Sequence, residues 1–306
     1  MKKLAILGGA GGLGSTMGFY IGLKGLFKEI TLIDIKENVL RSHAMDMSQS
    51  LSELARTDIR AGGWDSLAGA DMIIMAASIP ALKVASRNEF LEANLRIVRA
   101  AAEQIGKYCA GPQPVILTAT APIDVYNYMF WKILGGDTRR YIGFCRNDSL
   151  RLRWAAGQVL GEPAVEKIGG WVVGEHGETQ VPVYSSVTVN GVPANLSPDQ
   201  ITLMDQAVKN WFNEFQSLDS GRTTNWTSTT SIARVVEAIV TGQGSPQPGS
   251  AILDGQYGLS DVSLGTPLMF GPHGWESVLE LPLNEKELAG LNASARHIRG
   301  LIDQCL

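Results

Sequence analysis

The sequence predicts an α/β protein: a doubly wound parallel sheet followed by a second, α+β unit. Three observations carry this. Short apolar runs alternate with longer amphipathic stretches through the first half of the 306 residues, those runs are apolar almost throughout, and a glycine-rich turn joins the first run to the first helix. A strand that is apolar on both faces belongs in a sheet covered on both sides, as strand–helix crossovers provide.

Taken in order, KLAILGG (Lys3–Gly9), EITLIDI (Glu29–Ile35), ADMIIMAAS (Ala70–Ser78), PVILTAT (Pro114–Thr120) and RYIGF (Arg140–Phe144) read as strands. The clearest helix between them is Ser86–Tyr108. After a helix near Asp148–Leu160 the pattern changes. KIGGWVV and VPVYSSVTVNG read as strands, with Asn190–Gly191 as a hairpin turn. Helices are expected near Ser197–Leu218 and Trp226–Thr241, then a loop over Gln243–Ser250, short strands with turns, and a last helix from about Asn284 to Asp303. The switch falls near residue 145 without a low-complexity linker, so two closely packed lobes, 1–144 and 145–306, are expected.

Composition narrows the function classes. With 45% hydrophobic and 18% charged residues the chain can bury a large core. A net charge of −4 argues against tracking a nucleic-acid backbone. Cys109, Cys145 and Cys305 are scattered and lack metal-ligand spacing, which suits free thiols in a reducing compartment. The start, MKKLAILGG, has too short an apolar part for a signal peptide, and no stretch approaches the roughly 18 apolar residues of a membrane helix. A soluble, cytoplasmic protein is expected, with neither nucleic-acid nor membrane partners.

The glycine turn carries the first chemistry. ILGGAGGLGSTMG sets glycines at 8, 9, 11, 12 and 14, and Gly9 to Gly14 satisfy G-x-G-x-x-G after a strand and before a helix. That arrangement lets backbone approach a pyrophosphate at a helix N-terminus. Gly8, Gly9, Gly11, Gly12, Leu13 and Gly14 are the expected cradle of a Rossmann-type unit. Asp34 ends the second strand, about 20 residues on, where a carboxylate accepts hydrogen bonds from the adenosine ribose. It would repel a 2′-phosphate, and Ile35 and Lys36 follow in place of an arginine, so NAD is expected over NADP. Ala77 and Thr120, closing later strands, are also assigned to the cofactor.

GEHGETQVPVYS (Gly174–Ser185) places His176 between glutamates and glycines straight after an apolar run. With the glycine loop upstream, this stretch resembles the GEHG(D/E)S-x-VP-x-(W/Y)S segment of the L-lactate/malate dehydrogenase family. NDSLRLR (Asn147–Arg153) resembles that family's LDSxRxR, and the segment from DGQYG to LNASA resembles its C-terminal region. The resemblance covers nearly the whole chain and implies NAD-linked interconversion of a small L-2-hydroxy acid and its 2-keto acid. It makes His176 the acid/base, Asp148 the carboxylate that orients it, Arg151 the clamp on the substrate carboxylate, and Arg87 the arginine that polarises the carbonyl from a mobile loop. The chemistry wants these types. A histidine titrates near working pH, a carboxylate fixes its tautomer, and a guanidinium reads a carboxylate in two parallel bonds. It also implies a homodimer or homotetramer, with Asn38–Leu51 apolar enough for pairing; with the first strand opening at Lys3, the arm that helps lactate dehydrogenases form tetramers is not expected.

Two departures bear on the substrate. SIPALKVASR (Ser78–Arg87) carries Ala81 where malate dehydrogenases have an arginine for the second carboxylate. Either the substrate's distal group is apolar or bulkier, or Lys83 takes that role. TATAPIDVYNY carries Ala121 where the family has the asparagine of VTNPVD, leaving Thr118, Thr120 or Thr223 as substitute donors. Arg146 is bulky beside Asp148 and could alter the pocket wall. Three other readings compete: a Tyr128-x-x-x-Lys132 pair of the short-chain dehydrogenase type, an NAD-binding protein with lost catalysis, and, more distantly, an NAD-dependent glycosidase. His43, His273 and His297 read as surface or interface groups.

Overall fold

The computed structural model describes residues 1–79, 87–221, 223–242 and 244–306. Six strands lie parallel: β1 (Lys3–Leu7), β2 (Glu29–Ile33), β3 (Asp58–Gly62), β4 (Met72–Met75), β5 (Val115–Thr118) and β6 (Tyr141–Gly143). Their order is β3-β2-β1-β4-β5-β6, the doubly wound order whose direction reverses between β1 and β4. Helices α1 (Gly12–Leu23), α2 (Glu37–Leu54), α3 (Arg87–Tyr108) and α4 (Ile123–Leu134) lie between strands. The inner strands are buried along their length, as their unbroken apolar runs require.

β3 is the strand the sequence pattern does not announce. It sits at the sheet edge, paired only with β2, and of its five residues only Ile59 is buried. An edge strand half open to water needs no apolar run.

The second half contributes α5 (Arg146–Leu160), then an antiparallel sheet of β7 (Ile168–Val173), β8 (Val181–Val189) and β9 (Val192–Pro193). Asn190 and Gly191 turn β8 into β9 with φ of 52° and 78°, the left-handed pair that a two-residue hairpin demands. Next come α6 (Pro198–Ser217), α7 (Asn225–Thr241), β10 (Gln247–Asp254), β11 (Ser260–Gly271), β12 (Gly274–Val278) and α8 (Glu285–Cys305).

The expected loop over Gln243–Ser250 is corrected here, because Gln247–Ser250 opens β10. Pro248 faces Pro267 across the β10–β11 ladder, where neither has an N–H to lose, and pairing with β6 begins only at Ser250 opposite Gly143. Proline and glycine mark a loop in sequence, but they are tolerated at such a strand start. Through that pairing β10, β11 and β12 extend the parallel sheet to nine strands.

The main buried cluster accordingly runs from Leu4 in β1 to Cys305 in α8. A smaller one, around Leu152, Ile168, Val187 and Met204, seals α5 and α6 onto β7 and β8. At the start of α8, Asn284 and Glu287 form a capping box, and Glu287 also accepts hydrogen bonds from the Ser185 backbone and hydroxyl, tying α8 to β8. Among the described residues no helix is long and apolar enough to cross a membrane.

Candidate active site

The cofactor residues read from the sequence gather at the carboxyl ends of β1, β2, β4 and β5, beside the reversal point of the sheet. Gly8, Gly9 and Gly11 turn the chain out of β1, and Gly12, Leu13 and Gly14 form the first turn of α1. Gly8 holds φ of 91° and lies so close to the chain after β4 that a Cβ there would stand 2.6 Å from the Ala77 nitrogen. A Cβ on Gly14 would come within 2.1 Å of the Gly8 carbonyl, so only glycine lets α1 start this near β1. The N-cap, Gly11, offers no side-chain cap, leaving first-turn N–H groups for an anion.

Asp34 stands just past β2, each oxygen held by one backbone N–H: Ala10 at 3.1 Å on Oδ2 and Lys36 at 3.0 Å on Oδ1. Both oxygens keep acceptor capacity for ribose hydroxyls. Thr120 donates its hydroxyl to the Ala77 carbonyl at 2.9 Å, fastening the ends of two neighbouring strands. A glycine cradle with no room for a Cβ at Gly8 or Gly14, and an oriented carboxylate beyond it, fits a dinucleotide.

The second cluster forms around His176, in the turn after β7. Nδ1 of the imidazole lies 2.5 Å from Oδ2 of Asp148, and Oδ1 of the same carboxylate accepts a hydrogen bond from Arg151 at 3.2 Å. Asp148 and Arg151 are three positions apart on α5, which puts both on one face. Asp148 is nearly sealed, whereas the His176 side chain keeps 22% of its surface exposed, an open side for a reactant. Burial alone would push the imidazole below its ordinary value. The charge and hydrogen bond of Asp148, with the charge of Asp124, outweigh burial and the opposing Arg151, and the net shift is upward.

Asp124 was not singled out from the sequence. It lies in the first turn of α4 and its Oδ2 accepts the backbone N–H of His176 at 2.7 Å. Glu175 and its surroundings were missed likewise. The backbone N–H of Glu175 donates to Ser294 of α8, its carboxylate accepts from Thr179, and His297 reaches it at 3.8 Å. His297, read as a surface or interface group, keeps 38% of its side chain exposed while its ring approaches Glu175 behind the loop.

Other expectations resolve as follows. Arg146 turns away from the imidazole. It bonds Gln247 at 3.1 Å and Ser231 at 3.3 Å and lines a cavity of about 690 Å³ with Arg153 and Arg234, into which neither His176 nor Asp148 opens. Of the hydroxyls weighed as substitutes at position 121, that of Thr120 is committed to backbone carbonyls and that of Thr223 to Asn225 at 2.7 Å. That of Thr118 lacks a partner among the described residues and is wholly buried. Tyr128 is fully buried and donates to Asp261 at 2.5 Å. Lys132 stacks over the rings of Tyr128 and Trp131. That pair is structural and does not border the His176 cluster. Arg87 opens α3 with its side chain outside the described residues, where Ala81 and Lys83 also lie.

Residues 2–143 match the family model described as the lactate/malate dehydrogenase NAD-binding domain, and residues 146–306 match its α/β C-terminal domain. The chain belongs to the lactate/malate dehydrogenase family. It is 32% identical to the malate dehydrogenase of Halobacterium salinarum over 99% of both chains. It is 28% identical to the L-lactate dehydrogenase of Corynebacterium efficiens over 98% of this chain and 96% of that one. Among solved structures, the malate dehydrogenase of Cryptosporidium parvum matches with a TM-score of 0.91 and 26% identity, over 99% of this chain and 98% of that one. Ala121 is exposed in the approach to α4, and its side chain carries no donor. The guanidinium of Arg151 faces the rings of Trp211 and Phe212 on α6, at 5.8 and 5.9 Å. Those rings gave no signal in the sequence beyond ordinary apolar spacing.

Proposed function

We propose that the protein is an NAD-linked dehydrogenase interconverting a small L-2-hydroxy acid and its 2-keto acid, with His176 as acid/base. The single observation that carries this reading is one carboxylate, Asp148, joining the imidazole and the Arg151 guanidinium at the end of the sheet that also carries the glycine cradle. Gly8, Gly9, Gly11, Gly12, Leu13, Gly14, Asp34, Ala77 and Thr120 hold the cofactor, which supplies or accepts the hydride when bound. With Nδ1 fixed by Asp148, Nε2 of His176 is the nitrogen that meets the reactant. In reduction it gives its proton to the carbonyl oxygen, and in oxidation it takes the proton from the hydroxyl. Asp148 holds the ring and stabilises its charged form. Arg151, bonded to Asp148 through one N–H, keeps others for the substrate carboxylate. Arg87 is assigned to the developing oxyanion and Thr223 to the pocket rim.

The substrate's distal group is apolar or bulky in this reading. Ala81 offers no cation for a second carboxylate, and the Trp211 and Phe212 rings lie beside Arg151. Lys83 is the alternative partner for a charged group. We place the protein in the cytoplasm as a homodimer or homotetramer. The three unpaired cysteines suit that compartment, and Met45 and Leu54 of α2, 72% and 59% exposed, suit the pairing. Oxidation of NADH, with NADPH in parallel, against pyruvate, oxaloacetate and branched 2-keto acids tests the proposal. Turnover with NADH and at least one acid is expected. Cofactor binding without turnover on any of them would leave an NAD-binding protein that has lost catalysis.

A further inference from the structure

His176 is gripped twice. Asp148 holds its ring from α5, and Asp124 holds its backbone from α4, through Oδ2 at 2.7 Å. Asp124 is itself fixed, since Oδ1 accepts the Ser250 hydroxyl of β10 at 2.5 Å. Ser250 pairs with the Ser263 hydroxyl of β11 at 2.8 Å, and Asn127, one turn along α4, donates to Ser263 at 2.9 Å. Every side chain in this chain of bonds is buried: Asp124 is 1% exposed, and Ser250, Ser263 and Asn127 are 0%. A purely structural carboxylate is seldom buried without a cation, and among the described residues no Lys or Arg bonds it. Its partners are one hydroxyl and the N–H of His176.

We infer that Asp124 is a positioning residue for the chemistry of His176: it clamps the backbone of the turn that carries the imidazole, opposite the side-chain grip of Asp148, and sets a second negative charge behind the ring. The inference rests on His176 being the acid/base. The groups facing the pair are Asp148 and Arg151 from α5, Glu175 from the same turn, Cys145 from the start of α5 and Ser250 from β10. Asp124 is the one that touches the His176 main chain. Burial lifts its pKa to about 6 against the hydrogen bonds of Ser250 and His176, so the carboxylate is charged at neutral pH and loses that charge in mild acid. Its charge favours the imidazolium.

The full-length variants Asp124→Asn, Ser250→Ala and His176→Asn test this. The substrate is whichever of pyruvate, oxaloacetate or 2-ketoisocaproate the native protein reduces fastest. Asp124→Asn is expected to lower kcat on the order of tenfold, because the hydrogen bond to the His176 backbone then ends on a neutral amide and the charge behind the ring is gone. NADH affinity, read by fluorescence, should stay unchanged. The pH at which reduction declines should move downward, because an imidazole with less negative charge around it gives up its proton sooner. Ser250→Ala removes a bond that keeps Asp124 ionised, so it should shift the same profile in the same direction by less. Should Asp124→Asn fail to fold, the Ser250→Ala profile decides alone. A pH profile that superimposes on the native one, whatever happens to Tm, overturns the positioning role. If His176→Asn retains turnover, the acid/base assignment falls, and this inference with it. If His176→Asn abolishes turnover while the other two profiles stay put, only the positioning role falls.

Discussion

Asp148 joins two side chains at once, His176 at 2.5 Å through one oxygen and Arg151 at 3.2 Å through the other. A neutral amide at this position would give the imidazole a donor or an acceptor without a charge. Asp148→Asn should therefore lower kcat by about 100-fold or more, the scale of general acid–base catalysis. The sign of the accompanying pH effect follows from reduction needing the protonated ring. Asp148 holds the His176 pKa above its ordinary value, so the native enzyme keeps reducing as pH rises past that value, and the variant should decline at lower pH. Initial rates of 2-keto acid reduction across pH 5–9 measure both.

Arg151→Lys retains the charge and loses the planar fork. Its kcat/KM for the 2-keto acid should drop roughly 100-fold, mostly through KM, because a point charge cannot make two parallel bonds to a carboxylate. An unchanged KM would assign carboxylate binding elsewhere.

Among 2-keto acids, branched or larger side chains should outperform oxaloacetate, and Phe212→Ala should erode that preference more than it lowers the rate on pyruvate. If oxaloacetate is strongly preferred and the preference survives Lys83→Ala, both the apolar reading and the Lys83 alternative are wrong.

Tyr128→Phe removes a part-buried hydrogen bond to Asp261. The variant should lose about 1 kcal/mol of stability in denaturant unfolding and keep its turnover, whereas His176→Asn should lose turnover and keep its fold. The reverse outcome would restore the short-chain dehydrogenase reading.

Gly14→Ala sets a methyl within 2.1 Å of the Gly8 carbonyl. NADH affinity measured by fluorescence should collapse before the far-UV spectrum changes, since the backbone displaced is the cofactor's own cradle.

The sequence exposed those parts of the site whose geometry is set by short spacing. The glycine cradle lies within one turn of chain, Asp34 falls at a fixed remove from it, and Asp148 and Arg151 share a helix face. Asp124 matches the last letter of the VTNPVD stretch, but its role stayed hidden for a physical reason. An acidic residue in the first turn of a helix is the ordinary complement to the helix dipole, and its partner His176 lies 52 residues away. Trp211 and Phe212 lie on α6, and only the packing of α6 against α5 brings their rings beside Arg151. β3 lacked an apolar run because it is an edge, and the start of β10 was masked by Pro248 and Gly249, whose tolerance depends on which neighbour has already begun to pair.

The pairing of Ser250 with Gly143 welds the two family-matched segments into one plate. A truncated product ending near residue 143 would leave β6 as a raw margin, with Tyr126, Tyr128 and Phe130, all 0% exposed in the intact chain, stripped of much of their cover. Such a fragment would be sticky and short-lived. For the same reason, any chimera grafting a foreign nucleotide half onto residues 146–306 must bring a compatible β6 and an aspartate equivalent to Asp124, or the histidine will sit on an unsupported turn.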